Sequence, residues 1–190
     1  SEVVPEFRET LLTQFCTQLI AAKQFARVTK VLRSPLAQAG GLTATLHWLL
    51  GLACIELKNF VEGAEQMRHC LARRKTPALS PVNKNILKAG PNHCLALCLD
   101  ALHQEDAAEM AFLAALQDEP TARPTRLDYA RFLASHTREV EALELLHQLM
   151  AEDSSDVRVW HLGGHVSLSK PEFLEFACDW TSEAIRWHGD

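Results

Sequence analysis

Residues 118–156 read DEPTARPTRLDYARFLASHTREVEALELLHQLMAEDSSD, and this stretch decides the fold. An apolar segment follows Pro120 and Pro124, and a polar break separates it from a second apolar segment. In the second segment Ala142, Leu146 and Leu149 recur at i, i+4 and i+7, the spacing that places side chains on one face of a helix. The stretch therefore predicts two amphipathic helices joined by a short polar turn.

The same pattern recurs at a fixed distance along the chain. The earlier segment DAAEMAFLAALQDEP repeats the helical spacing, and its Ala108 and the later Ala142 stand 34 apart. Small residues recur at the same interval in three other apolar segments, at Ala96, Ala130 and Gly164. Ala96 and Ala130 lie in the partner segments that precede the helices of Ala108 and Ala142. Small residues allow the two helices of a pair to approach closely. A pair cannot bury its apolar face alone, so successive pairs stack and share a core.

The period and the placement of small and large residues resemble the tetratricopeptide repeat (TPR), whose signature is W-x2-L-G-x2-Y followed by Ala, Phe, Ala and Pro. The third unit matches best, with Ala96, Ala108, Phe112, Ala115 and Pro120. The second carries Trp48 one place late, then Leu50 and Gly51, and the fifth carries Trp160 and Gly164. The first unit is placed by extrapolation from Cys16, which precedes Gly51 by one place more than the period.

The resemblance covers nearly the whole chain and implies an all-α fold, a right-handed α-solenoid of about five helix pairs, or ten helices. We expect a single domain over residues 1–190, with units near 9–40, 44–74, 89–121, 123–155 and 157–188. An irregular insertion near 73–91 lengthens one period, so that Gly51 and Ala96 stand 45 apart. A generic helical bundle is the alternative, but a bundle has no reason to repeat at a fixed period.

The insertion is rich in Pro and Gly, which end one helix and delay the next. It is also locally basic, through Arg73, Arg74, Lys75, Lys84 and Lys88. Either an acidic partner docks on these cations or they are a solvated run in a tolerated insertion.

Composition limits the classes of function. Of the 190 residues 47% are hydrophobic, and the net charge of -5 argues against nucleic acid, which requires a basic surface. The longest apolar run, residues 46–57, is too short to cross a bilayer. Six scattered cysteines do not resemble a disulfide scaffold, so we interpret them as reduced thiols in a cytoplasmic protein.

The last predicted helix keeps apolar residues on overlapping faces, at Phe173, Phe176, Trp180 and Trp187. A terminal repeat normally has a polar outer face. We therefore expect either further repeats, in a longer parent protein from which this chain is excised, or self-association through this helix. The first residue, Ser1, favours excision because it is not Met.

Candidate chemistry is sparse. His161 and His165 stand at i and i+4, a spacing that can bring two imidazoles to one metal ion, but no third ligand has diagnostic spacing. Partner-binding histidines are the preferred interpretation and a metal site is the weak alternative. Cys94 and Cys98 are interpreted as small core residues, since nothing beside them suggests an activated thiol. We expect no cofactor and no catalysis.

What remains is the inner surface, which the resemblance places at recurring positions of each first helix. Its members, with Thr13 and Thr17 in the first unit, are Trp48, Leu52, Ile55, His93, Leu97, Asp100, Leu127, Arg131, Arg158, His161 and His165. Relatives that hold acidic chaperone tails carry Lys and Asn where this chain has Thr13 and Thr17, so that role is not expected.

The preferred hypothesis is a non-catalytic scaffold that binds a protein or peptide in this concave groove. It predicts that Arg131→Glu together with His161→Glu weakens partner capture and leaves helicity intact. The alternative is an accessory domain of a larger enzyme. The segments RLDYARFL and LSKPEFLEFACDWTSEA are similar to TPR segments attached to bacterial glycosyltransferases. Such a domain would position an acceptor or another subunit.

Overall fold

A computed structural model of the protein describes residues 5–76 and 84–188. Over these residues it contains eleven α-helices, two 3-10 helices and no β-strand. The α-helices are α1 Pro5–Ala21, α2 Phe25–Leu32, α3 Pro35–Gln38, α4 Ala44–Glu56, α5 Phe60–Arg73, α6 Gly90–Ala101, α7 Glu105–Asp118, α8 Arg123–Ser135, α9 Glu139–Glu152, α10 Val157–Ser167 and α11 Leu174–His188. The 3-10 helices are Lys84–Leu87 and Pro171–Phe173. The predicted all-α architecture is confirmed.

The structure has one α-helix more than the ten predicted, and this extra helix is α3, a single turn in the first repeat. Ser34 caps it, because its Oγ accepts a hydrogen bond from Ala37 N at 3.3 Å and Pro35 occupies the first helical position. The sequence signal for this turn was present, but the helix is too short to show a periodic apolar face.

The repeat is visible in the turns that join the two helices of a pair. In four pairs the second residue after the first helix has a positive φ, and the next backbone N–H donates to the carbonyl five residues back, a Schellman motif. The positive-φ residues are Lys23, Lys58, His103 and Thr137. The bonds run from Gln24 to Leu19, Asn59 to Cys54, Gln104 to Leu99 and Arg138 to Leu133, at 2.8–3.0 Å. Local chemistry thus ends each of these first helices in the same way.

The chain divides into two compact units, Ser1–Pro120 and Thr121–Asp190. In the first unit the pairs are α1–α2, α4–α5 and α6–α7, and α4 and α6 each pack against the second helix of the preceding pair. In the second unit α8–α9 and α10–α11 are the pairs, and α10 packs on α9. The single domain predicted over residues 1–190 stays a prediction.

The insertion lies where the sequence predicts it, between α5 and α6, and residues 77–83 fall outside the described part. Its 3-10 helix contacts α4 and α6, and Ile86 is fully buried. Arg74 forms two hydrogen bonds to the Asp118 carboxylate, at 2.8 and 3.1 Å, and Asn92 donates to the same carboxylate at 2.8 Å. Lys88 forms an ion pair that ties the end of the insertion to the end of α7 as well.

In the second unit the core between α10 and α11 depends on two tryptophans. The rings of Trp160 and Trp180 lie 5.2 Å apart, and Trp180 Nε1 donates to Trp160 O at 3.0 Å. Trp160 Nε1 donates to Ser154 O at 2.7 Å, so both indole N–H groups are satisfied. Gly163 faces the Trp180 ring, and the absence of a side chain there makes room for the indole.

Candidate functional site

The predicted inner surface of the first unit is only half-exposed. Leu52 and Ile55 lie on α4, and His93, Leu97 and Asp100 lie on α6, all partly buried. α4 and α6 contact one another, so the two helices place these residues on neighbouring elements. The His93 ring lies 6.1 Å from the ring of Phe112 on α7, which accounts for part of its burial.

Trp48 does not belong to an exposed surface. Its side chain is 9% exposed, and its ring atoms lie 3.0 and 3.5 Å from the place where a Cβ on Gly90 would be. The ring therefore packs against the start of α6, beside the inserted 3-10 helix. Its assignment as a groove residue is corrected: Trp48 is a core residue that the insertion helps to cover.

Leu127 is the second correction. It is 3% exposed and belongs to an apolar cluster with Leu146, Val159 and Trp160. The following first helix, α10, supplies Val159 and Trp160 and therefore covers Leu127. A residue that contacts the next helix pair is not available to a partner.

In the second unit Arg131 on α8 and His161 and His165 on α10 are exposed, as predicted for an inner surface. They lie along two grooves. The α8–α10 groove, of about 350 Å³, is lined by Arg131, Ala134, Ser135, Glu139, Leu162, His165, Val166 and Ser169. The α10–α11 groove, of about 340 Å³, is lined by Val157, Trp160, His161, Gly164, His165, Trp180, Thr181 and Ala184. His165 lines both grooves.

The α8–α10 groove combines apolar and charged groups. Leu162 and Val166 supply its apolar surface, and Arg131, which forms an ion pair with Asp128, supplies an exposed cation. At its rim Lys170 Nζ donates to Glu139 Oε2 at 2.8 Å, and this hydrogen bond holds the pKa of Glu139 below its ordinary value. An imidazole and a guanidinium beside an apolar floor suit a ligand that carries a carboxylate.

Arg158, also predicted for the groove, is engaged in capping α10. It forms hydrogen bonds from Nε and Nη2 to the two Asp156 carboxylate oxygens, each at 2.9 Å, and its backbone N–H donates to Oδ1 at 3.1 Å. Arg123 donates to Asp156 Oδ2 at 3.1 Å. These bonds depress the pKa of Asp156 strongly. Arg158 is exposed and, like Arg131, paired with a nearby carboxylate, but unlike Arg131 it lines neither of the two grooves.

Sequence reasoning missed six residues of the α8–α10 groove: Ala134, Ser135, Glu139, Leu162, Val166 and Ser169. All but Ala134 stand outside the recurring positions assigned to the inner surface. Ala134 does stand at such a position, and the repeat register alone would have found it. A third groove was also missed. It has a volume of about 490 Å³ and is lined by Val140, Leu143, Glu144, His147, Gln148, Phe173 and Phe176.

The described residues contain no group of three or more His, Cys, Asp or Glu side chains that could hold a metal ion. His161 and His165 thus have no third ligand within the described part of the chain. Burial raises the pKa of Cys54 to about 12 and that of Cys98 to about 11. A thiol that is harder to ionise than usual is a poor nucleophile, so these two cysteines suit the core.

The basic insertion offers fewer free cations than its sequence indicates. Arg74 and Lys88 are held by Asp118 and Glu119, at 2.8 Å in each case. Two of the five cations therefore already neutralise a carboxylate at the end of α7 and one just after it, and the docking of an acidic partner on this segment stays a prediction. Among the described helices, none combines the length and hydropathy that a membrane span requires.

No protein-family model and no curated protein matches the sequence. Several solved structures do match the fold of this chain. YrrB, a TPR protein with an unusual peptide-binding site, is 18% identical over 94% of this chain and 86% of its own, with a TM-score of 0.67. MamA is 11% identical over 96% of this chain and 92% of its own, with a TM-score of 0.76.

The C-terminal part of a TPR repeat-containing protein from Cytophaga hutchinsonii is also 11% identical. The match covers 93% of this chain and 64% of that chain, with a TM-score of 0.76. At such identities the likeness concerns the fold. Together with the recurring helix pairs and their common turns, it shows that the chain has the fold of the tetratricopeptide-repeat proteins.

Proposed function

We propose that the chain is a non-catalytic scaffold that binds a protein or peptide in the α8–α10 groove. The observation that carries this proposal is the exposure of Arg131 and His165 beside the apolar side chains of Leu162 and Val166. First helices of successive pairs supply these residues.

The preferred ligand is a segment with an apolar side chain and a nearby carboxylate. The apolar side chain would cover Leu162, and the carboxylate would accept hydrogen bonds from Arg131 and from the imidazole of His165. YrrB, which has a peptide-binding site, shares this fold and supports a peptide ligand by analogy. The half-buried residues Leu52 and Leu97 of the first unit offer a second, apolar surface.

The test is an array of short peptides in which apolar residues alternate with Asp and Glu, compared with the same peptides carrying Lys and Arg. We expect the acidic set to bind preferentially. Arg131→Glu combined with His165→Glu should reduce this binding at least tenfold, because both changes repel the ligand's carboxylate. The matched control is Arg27→Glu with Lys30→Glu, two exposed cations of α2, which should bind as the wild type does.

Equal binding of acidic and basic peptides, or equal loss in the control variant, would contradict the proposal. Circular dichroism of each variant establishes that the helices are intact. An accessory role in a larger enzyme, such as a bacterial glycosyltransferase, would use the same groove to position an acceptor. That role and a cytoplasmic location stay predictions.

A further inference from the structure

The first helix, α1, has an apolar stripe that no described helix covers. Phe7, Leu11 and Phe15 recur at i, i+4 and i+8 and are 63, 52 and 44% exposed. The core side of the same helix is separate, and Leu12 and Cys16 are buried there. A run of three large exposed hydrophobic residues at helical spacing is the signature of a helix-packing face.

The repeat register shows what kind of helix packs on this stripe. Leu11 stands five places and Phe15 one place before Cys16, which is the small residue of the first repeat. The same places hold Leu46 and Leu50 before Gly51 in α4, and Val159 and Gly163 before Gly164 in α10. All four of these residues are buried. The exposed stripe of α1 therefore corresponds to a face that is buried in α4 and α10.

In the second unit the covering residues can be named. Val159 of α10 packs in one cluster with Leu127 of α8 and with Leu146 and Leu149 of α9. At the position of Leu11 a first helix thus lies on the preceding helix pair, whereas Gly163, at the position of Phe15, faces Trp180 of its own pair. Leu11, at the centre of the α1 stripe, therefore corresponds to part of a repeat interface whose other half is a surface like that of α8 and α9.

Such a surface exists at the other end of the repeat series, in the α10–α11 groove. Its His161, Gly164 and Trp180 stand one full period after Leu127, Ala130 and Leu146, which are buried beneath α10. No described helix occupies the equivalent place on α10 and α11. The groove is mainly apolar, through Val157, Trp160, Trp180 and Ala184.

We propose that a second copy of this chain completes the interface, with α1 of one copy lying in the α10–α11 groove of another. One chain carries both halves of the same repeat contact, so a second copy supplies a face already shaped for each. The contact is heterologous, which means that each copy uses two different surfaces and the association extends head to tail. It uses a different groove from the proposed peptide site, although His165 lines both.

The test measures molar mass by light scattering on the full chain over a wide range of concentration. We expect the apparent mass to rise from one copy towards two and more. A variant with Leu11→Gln and Phe15→Gln blocks the α1 stripe, and one with Thr181→Glu and Ala184→Glu blocks the groove. Each variant alone should remain a monomer at concentrations at which the wild type associates.

Mixing the two blocked variants gives the decisive result, because each retains one working face. A one-to-one heterodimer that grows no further supports the head-to-tail contact. A wild type that stays monomeric at every concentration overturns the proposal. The two faces would then pack on preceding or following repeats of a longer protein, and not on a second copy. Oligomers that persist in either variant, or a mixture that stays monomeric, also overturn the proposal. Circular dichroism checks folding, and peptide binding should survive in the Leu11→Gln, Phe15→Gln variant, which leaves Arg131, His165 and both grooves unchanged.

Discussion

Gly163→Ala tests the close packing of the last helix pair more sharply than any truncation. An ideally placed Cβ on Gly163 would lie 2.8 Å from Trp180 Nε1 and nearer still to the ring carbons Cζ2 and Cε2. Since ordinary carbon contacts begin at about 3.5 Å, the indole would have to move by roughly 1 Å or more. The neighbouring Gly164 provides the control, because its Cβ would lie 4.0 Å from Trp180 Cδ1.

The expected cost follows from three effects. Overpacking a buried ring costs about 1–3 kcal/mol. Moving the indole weakens its buried hydrogen bond to Trp160 O, now 3.0 Å long, which is a loss of about 1–3 kcal/mol if the bond breaks. Alanine is the better helix former by about 1 kcal/mol. Gly163→Ala should therefore destabilise the protein by about 1–5 kcal/mol, whereas Gly164→Ala should be neutral or stabilise it by up to about 1 kcal/mol.

Urea unfolding followed by circular dichroism measures both changes, and near-ultraviolet dichroism reports the tryptophan environment. A double variant, Gly163→Ala with Trp180→Phe, should recover part of the loss, because a smaller ring accommodates the added methyl group. The combination of a larger first residue with a phenylalanine already occurs in this chain, because Leu95 of α6 and Phe112 of α7 stand two periods before Gly163 and Trp180. Equal stability of Gly163→Ala and the wild type, or an equal loss in Gly164→Ala, would refute this account of the packing.

Three further predictions concern the turns, a buried imidazole and the insertion. Thr137 has a φ of 60°, a conformation that disfavours a β-branched residue. Thr137→Gly should therefore raise the free energy of unfolding by about 1 kcal/mol. A lower free energy of unfolding in this variant would contradict the turn assignment. Burial lowers the pKa of His47 from 6.5, so the unfolded chain binds the proton more readily and stability should fall as the pH drops below 6.5, by at most about 1.4 kcal/mol per pH unit. In His47→Asn, which keeps a hydrogen-bond donor, unfolding between pH 7.5 and 5.5 should show a smaller fall, and an unchanged slope would refute the assignment. Arg74→Gln should cost about 1–3 kcal/mol because it leaves the partly buried Asp118 carboxylate short of its partner, while the neighbouring Arg73→Gln should stay within about 0.5 kcal/mol, and equal losses in a thermal melt would show that the ion pair contributes little.

The repeat itself could be predicted from sequence because it depends on local and periodic features. Ala96 and Ala130, assigned as small contact residues, are fully buried. The boundaries of the insertion could also be predicted from the sequence, because Pro and Gly interrupt the apolar pattern there. In the last pair the register of small residues pointed to Gly164, but the tightest contact involves Gly163, because Trp180 is larger than its counterparts in the earlier pairs.

The exposed site was harder to predict, because exposure depends on what the next helix covers. The register places Leu127 and His161 at the same position of successive first helices, yet α10 buries the first and leaves the second exposed. Trp48 is covered through the insertion, whose path has no periodic signal. Arg158 is exposed but paired with Asp156, and a charge count does not reveal that pairing.

The measurement that tests the proposed function most directly is hydrogen–deuterium exchange of the full chain with and without the best-binding peptide from the array. Binding in the α8–α10 groove predicts slower exchange in α8 around Arg131 and in α10 around His165. Slower exchange confined to α9 and α11, beside the groove that contains Val140 and Phe176, would contradict it.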